Sequence, residues 1–168
     1  MGVVGTKFAE KHLPELSQFI YKALQKCYGS EAATGDENNL SGSTKYACKN
    51  GDWNFTDNFY GGEPFSGMST VFYRGISCWN MCYYGKVFPF VEDIQRVYDC
   101  LFPALMEASK EYPFRGPHKF VSKEGLTYEN TWEGVLASFT GRERITDIDG
   151  TCLFETYYAG GLVNIRPS

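Results

Sequence analysis

The sequence predicts an α+β domain in which two units, each a helix followed by four strands, form an antiparallel sheet with both helices packed on one face. Three observations lead to this fold class. An apolar stripe with helical spacing lies near the start of the chain. Farther on the apolar residues alternate, and Asn50-Gly51 and Asp149-Gly150 are hairpin signals. Two blocks, about 13–85 and 90–161, resemble each other, which indicates an internal duplication.

The composition is typical of one globular domain, and we treat 1–168 as a single domain. Aromatic residues make up 17% and charged residues 21% of the chain, which excludes a disordered protein. A net charge of −4 argues against direct nucleic-acid binding, which needs a basic surface. No apolar run is long enough for a membrane span and no secretory signal is visible, so we expect a cytoplasmic protein with six free thiols and no membrane association.

The first unit begins with a helix from about Pro14 to Tyr28. Pro14 suits the first helical turn, and Gly29 suits the position just after the last turn. Residues 30–44 are rich in Gly, Ser, Asn and acids and predict a loop. Four alternating segments then predict strands: Lys45–Lys49, Trp53–Tyr60, Phe65–Tyr73 and Ile76–Tyr84.

The second unit repeats this plan. Its helix is predicted over Phe90–Lys110, with Pro103 expected to kink or split it. The segment Pro113-Phe114-Arg115-Gly116-Pro117 predicts a rigid bend. Four further strands are predicted over His118–Val121, Leu126–Trp132, Ser138–Asp147 and Thr151–Tyr158.

Matching residues carry the duplication. Phe65-Ser66-Gly67 corresponds to Phe139-Thr140-Gly141, and Tyr83-Tyr84 corresponds to Tyr157-Tyr158, with a one-residue slip in the last hairpin. Neither copy is large enough to bury a sheet face by itself, so we expect the two to share one core.

An ordered series of short motifs resembles a bacterial family of domains of unknown function, whose members occur alone or C-terminal to XRE-type helix-turn-helix domains. The series covers the chain from about Phe19 to its end. Its motifs are Gly51-Asp52-Trp53, Asp57, Gly61-Gly62, Phe65-x-Gly67, Trp79-x-Met81-x-Tyr83-x-Gly85, Pro113-Phe114-Arg115-Gly116-Pro117, Phe139-x-Gly141-x-Glu143 and Gly160-Gly161. The resemblance implies no established activity, and with no helix-turn-helix in this chain it implies no direct DNA binding.

Two positions depart from the pattern of that family. An acid is usual two residues after the first Phe-x-Gly, where this chain has Ser69, and a His is frequent before the last Gly-Gly, where it has Ala159. The resemblance therefore implies that a mechanism relying on either residue is broken here.

Two acids and one cation are the main candidates for a site. Asp57 lies in an aromatic row, and Glu143 lies on an apolar face. Burial raises the pKa of such a carboxyl unless a cation or N–H groups stabilise its charge, and Arg115 in the rigid bend is the natural cation. These groups are a polar anchor in an aromatic pocket, a structural ion pair, or carboxylates that cap turn N–H groups near Gly61 or Gly67; the alternatives stay open.

Aromatic residues occupy both sides of one predicted strand. One set must be core, and the other could line a cavity or an interface with a dimer partner. The two sets are Trp79, Met81 and Tyr83, and Asn80, Cys82 and Tyr84. Our candidate ligand-binding residues are therefore Asp57, Trp79, Met81, Tyr83, Arg115, Glu143 and Tyr158.

Three functions remain in view. The first is binding of a small molecule or partner, with a sensory or regulatory role. The second is an enzyme that uses Asp57 or Glu143 as general acid or base, although the sequence has no nucleophile elbow, no Gly-x-Gly-x-x-Gly and no phosphate loop, and we assign no catalytic residue. The third is a homodimerisation module. Two histidines and no Cys-x-x-Cys argue against a metal site, and we expect no cofactor.

Overall fold

A computed structural model describes residues 11–29 and 42–163. This part of the chain forms two helices and eight strands. In chain order they are α1 (Leu13–Gly29), β1 (Ser43–Asn50), β2 (Trp53–Tyr60), β3 (Phe65–Tyr73), β4 (Ile76–Val87), α2 (Ile94–Met106), β5 (Lys119–Val121), β6 (Thr127–Val135), β7 (Ser138–Thr146) and β8 (Cys152–Leu162).

The eight strands form one antiparallel sheet in the order β1-β2-β3-β4-β8-β7-β6-β5. Strands β1–β4 are the first half and β5–β8 the second half; each half is a meander in which consecutive strands pair. The halves meet where β4 pairs with β8, and there Tyr83 lies opposite Tyr158. Read outward from the centre, the strands of each half follow in reverse chain order, β4 to β1 on one side and β8 to β5 on the other.

The predicted strands all form, and the differences are at their ends. β4 and β8 run to Val87 and Leu162, past the predicted ends at Tyr84 and Tyr158. Both are central strands with a hydrogen-bonded neighbour on each side, and they continue beyond the segments in which apolar and polar side chains alternate. Most of the predicted 30–44 loop lies outside the described residues.

Helix α2 is shorter than predicted. It begins after Asp93, whose side chain accepts a hydrogen bond from the backbone N–H of Arg96 at 3.1 Å and so caps the helix. Pro103 lies within the helix and does not split it. The helix ends at Met106, only one turn later, so few residues follow the backbone bond that proline removes.

Each helix packs on its own part of the sheet, and the buried residues form two core clusters. Helix α1 shares one cluster with Phe55, Val71, Trp79 and Met81. Helix α2 shares the other with Val87, Tyr128, Ile145 and Phe154.

The alternate side chains of the central strands are exposed. Tyr84 and Tyr157, which face each other across β4 and β8, are 49% and 51% exposed. Cys82 is exposed as well, and all six cysteines are free. Among the described helices, none is both long and apolar enough to cross a membrane.

Candidate functional site

A cavity of about 560 Å³ lies between α1, α2 and the first half of the sheet. Its walls are mainly aromatic. Four tyrosines and three phenylalanines line it: Tyr28, Tyr46, Tyr83, Tyr98, Phe59, Phe65 and Phe102. Among the described residues of its lining, the charged ones are Asp57 from β2 and Arg115 from the bend before β5. A chamber with apolar walls and a few polar groups is the usual form of a small-molecule site.

Asp57 is only 4% exposed, and its hydrogen bonds come from two neutral hydroxyls. The Tyr83 hydroxyl donates to the carboxylate at 2.9 Å from Oδ1 and 3.0 Å from Oδ2, and the Ser69 hydroxyl donates to Oδ1 at 3.0 Å. The antiparallel register brings Ser69 and Asp57 together. Ser69 on β3 is paired with Asp57 on β2 and, on its other side, with Met81 on β4. Burial raises the pKa of the Asp57 carboxyl, and the two hydroxyls and the charge of Arg115 offset part of that rise.

Arg115 is also buried, and its charge is paired with Glu143. The guanidinium Nε donates to Glu143 Oε2 at 2.6 Å, and the group lies 5.3 Å from the centre of the Tyr83 ring. Nη1 reaches the Tyr28 hydroxyl at 3.4 Å. The backbone φ of Arg115 is +120°, a region that side chains other than glycine avoid. The structure therefore maintains a strained backbone at the residue that joins the cavity to Glu143.

Glu143 has no exposed surface and does not line the cavity. Its Oε1 accepts from the Tyr128 hydroxyl at 2.5 Å, and that hydroxyl accepts from the backbone N–H of Gly116 at 3.0 Å. On the paired strand, Asn130 accepts from the Tyr158 hydroxyl at 2.8 Å. Glu143 and Tyr158 therefore belong to a closed hydrogen-bond network in the second half of the sheet.

The remaining two candidates are core residues. The Trp79 indole donates to the carbonyl of Leu136 at 3.0 Å, and Met81 is 1% exposed beneath α1. Of the seven residues singled out in the sequence, Asp57, Tyr83 and Arg115 are in the cavity wall. The cavity is on the side of Trp79, Met81 and Tyr83, the set that also forms the core.

The residues that line the cavity from the two helices are not among those singled out from the sequence. Tyr98 lies on the apolar side of α2, next in space to Leu101 and Leu105, and its hydroxyl donates to Glu63 at 2.7 Å. The helical spacing of Tyr98 from Leu101 and Leu105 could have identified Tyr98 as a residue on the apolar side of this helix. Tyr28 lies at the end of α1 beside its apolar stripe, and nothing in the local sequence indicates that it meets Arg115.

A second depression, of about 810 Å³, lies on the opposite side of the sheet around Tyr84, Tyr157 and Cys82. It is larger but open, and half of each tyrosine is in solvent. The cavity at Asp57 is the stronger candidate, because a buried carboxylate and a buried guanidinium both line it. Cys27 also lines that cavity, and burial raises the pKa of its thiol to about 12, so it is no nucleophile at neutral pH.

No three His, Cys, Asp or Glu residues of the described ranges are grouped as they would be around a metal ion. The site is lined by aromatic rings, Arg115 is paired with Glu143, and Asp57 forms no ion pair with the described residues. Fold and site together define an α+β protein with an internal polar-aromatic cavity. Residues 57–163 match the model of a family described as a domain of unknown function, DUF5680, and the chain belongs to that family. No curated protein and no solved structure matches the chain.

Proposed function

We propose that this protein binds a small organic molecule in the cavity at Asp57 and acts as a cytoplasmic sensory or regulatory module. The observation that carries the proposal is a cavity of about 560 Å³ that is lined by a buried carboxylate, a buried guanidinium and seven aromatic rings. That volume is in the range of small-molecule sites. Charged groups are rarely buried without a role, because desolvation costs several kcal/mol.

The symmetry of the sheet supports this proposal. We infer that the two halves are copies of one ancestral unit and that both helices cover the same face. In register, Tyr83 takes the place of Tyr158, since they lie opposite Gly67 and Gly141 respectively. This match differs by one residue from the alignment of Tyr83 with Tyr157. One copy retains a closed polar network, while the other has opened into a cavity.

A regulatory role agrees with the resemblance to bacterial domains that occur C-terminal to helix-turn-helix modules. In such an arrangement, occupancy of the cavity would be transmitted to a DNA-binding partner domain.

The test uses 2-phenylethanol, a neutral aromatic probe, titrated into the full chain and followed by two-dimensional NMR. We expect saturable shifts at the amides of Tyr28 and Tyr83. The variants Leu105→Trp and Phe102→Trp, which fill the cavity from α2, should weaken binding. Ile76→Trp is the matched control, because Ile76 lies in an exposed hairpin and is 53% exposed. Shifts confined to the outer side of the sheet, or equal binding by all three variants, would overturn the proposal.

A second candidate function is catalysis with Asp57 as general acid or base. The raised pKa of its buried carboxyl, in a cavity that a substrate can enter, favours this role. Carbon-13 NMR of the Asp57 carboxyl over pH 3–9 tests it, because a general acid or base must titrate well above the usual value of about 3.9. Titration at the ordinary value would leave binding without catalysis.

A homodimer through the outer side of the sheet is the third candidate. Met68, Tyr84 and Tyr157 are each more than two-fifths exposed there, and Cys82 lies among them. Light scattering decides between the alternatives, because a strict monomer excludes this function and leaves the cavity proposal unaffected.

A further inference from the structure

The charges around the cavity are unequal, and this inequality identifies a class of ligand. Asp57 and Glu143 are both buried carboxylates, while Arg115 is the one cation in the cavity wall within the described residues. Arg115 donates its Nε to Glu143 at 2.6 Å. The charge of Asp57 is therefore left without a cation in direct contact.

The hydrogen bonds of Asp57 leave part of its acceptor capacity unused. A carboxylate can accept about four hydrogen bonds. Tyr83 and Ser69 have one hydroxyl proton each, so together they supply two. Oδ2 shares the Tyr83 proton with Oδ1, and receives no other hydrogen bond from the described residues. The carboxylate lines the cavity, so a ligand can supply the missing donors.

The walls favour the same kind of ligand. Aromatic faces attract cations and repel anions, because the ring quadrupole is negative above and below the plane. Seven rings surround the space next to Asp57. Behind Tyr98 lies a further carboxylate, Glu63, which accepts the Tyr98 hydroxyl at 2.7 Å. The charge of Lys26 offsets part of the rise in the pKa of the neighbouring Cys27 thiol, and Lys26 is not in the cavity wall.

Resting on the proposed binding function, we infer that the ligand is a small organic ammonium ion. Its apolar body lies among the aromatic rings, and its N–H groups donate to Asp57. A primary or secondary ammonium fits best, because a quaternary ammonium has no proton for the free acceptor sites of Asp57. Arg115 does not repel it strongly, since Glu143 neutralises the guanidinium.

The experiment compares four probes of matched size by calorimetry with the full chain: 2-phenylethylammonium, 2-phenylethanol, 3-phenylpropionate and phenethyltrimethylammonium. We expect the primary ammonium to bind at least about tenfold more tightly than the alcohol. The quaternary ion should lie between them, and the anion should bind most weakly. Asp57→Asn should lower the ratio between ammonium and alcohol severalfold, to what the aromatic walls alone provide, since the amide still accepts from Ser69 and Tyr83 but has no charge.

Asp52→Asn is the matched control, because Asp52 lies in the exposed β1–β2 hairpin and pairs with Arg74. It should retain the full ratio. Carbon-13 NMR of the Asp57 carboxyl in the unmodified protein is a second readout, and its resonance should shift with the ammonium and not with the alcohol. Equal binding of ammonium and alcohol would overturn this inference and leave cavity binding intact. Failure of all four probes to bind would overturn both.

Discussion

The two halves of the sheet contain the same kind of tyrosine hydrogen bond but place their buried acids differently. In both, a tyrosine of a central strand lies opposite a glycine and donates its hydroxyl to a polar residue two strands away: Tyr83 to Asp57, and Tyr158 to Asn130. In the second half an acid, Glu143, stands beside this pair and is neutralised by Arg115. In the first half the corresponding strand position is Ser69, and the acid is Asp57 itself.

The two acids therefore lie on different strands of their halves and have different surroundings. Glu143 is fully buried, contacts Arg115 and Tyr128, and does not line the cavity at Asp57. Asp57 faces open space and keeps unused acceptor capacity. The neighbours of Asp57 thus supply hydrogen bonds, whereas the neighbours of Glu143 supply both a hydrogen bond and the opposite charge.

The largest effect is expected from breaking the ion pair of the second half. Arg115→Ala leaves Glu143 buried and unpaired, and should cost about 3–5 kcal/mol of unfolding free energy in urea denaturation. Adding Glu143→Gln to the same chain should recover a good part of the loss. The exposed Arg74→Ala serves as control and should remain close to the unmodified protein. A small loss for Arg115→Ala would mean that the pair is not what stabilises this network.

The next effect comes from giving the first half a second acid without its cation. Ser69→Asp places two carboxylates side by side in a buried position, and should cost about 2–4 kcal/mol at neutral pH. The loss should become smaller at pH 4, where one carboxyl takes up a proton. Ser138→Asp, at an exposed strand end, is the control for the same substitution. Equal denaturation midpoints at the two pH values would contradict the absence of a neutralising cation at Asp57.

A smaller effect compares the two tyrosine hydroxyls. Tyr158→Phe removes the donor to a fully buried Asn130 oxygen, and should cost about 1–3 kcal/mol because no solvent replaces it. Tyr83→Phe removes a donor to Asp57, but water in the cavity can take its place, so the loss should stay below about 1 kcal/mol. Thermal unfolding measures both. The reverse order would indicate that the cavity is dry at Asp57.

The smallest effect is a change in pH dependence. Burial raises the pKa of folded Asp57 above its unfolded value of about 3.9, so the folded state binds this proton more tightly. The stability due to this group is complete below the unfolded pKa and is lost as pH rises through the folded pKa. Asp57→Asn should therefore flatten the stability profile from pH 4 upward, and Asp52→Asn should leave it unchanged. An unaltered slope in Asp57→Asn would assign the pH dependence to other groups.

Much of the secondary structure was predictable because it depends on neighbours in the chain. The hairpin at Asn50-Gly51 is an example: the two turn residues follow Asn50, and Gly51 has a φ of +59°, which glycine adopts without strain. The strand Trp53–Tyr60 has its predicted bounds. The start of α2 was less predictable, since Asp93 caps the helix inside an apolar pattern that begins earlier in the chain, at Phe90.

The candidate site was predictable only in part. Asp57 was identified as an acid in an aromatic row, Tyr83 as a member of an aromatic strand face, and Arg115 as the cation of a rigid bend. Their assignment to partners was not, because Arg115 is 58 positions from Asp57 and 28 from Glu143 along the chain, and sequence spacing does not say which acid it reaches. The wall residues Tyr28 and Tyr98 come from helices whose mutual placement no local pattern specifies.

Chain order and residue type were thus enough to specify the strands, the turns and the acids that would be buried, because these follow from periodicity and solvation. The availability of each acid was a matter of three-dimensional packing. Coulombic and hydrogen-bond energies depend on distance in space, and only the folded sheet brings Arg115 against Glu143 while it leaves Asp57 with two hydroxyls and an open cavity.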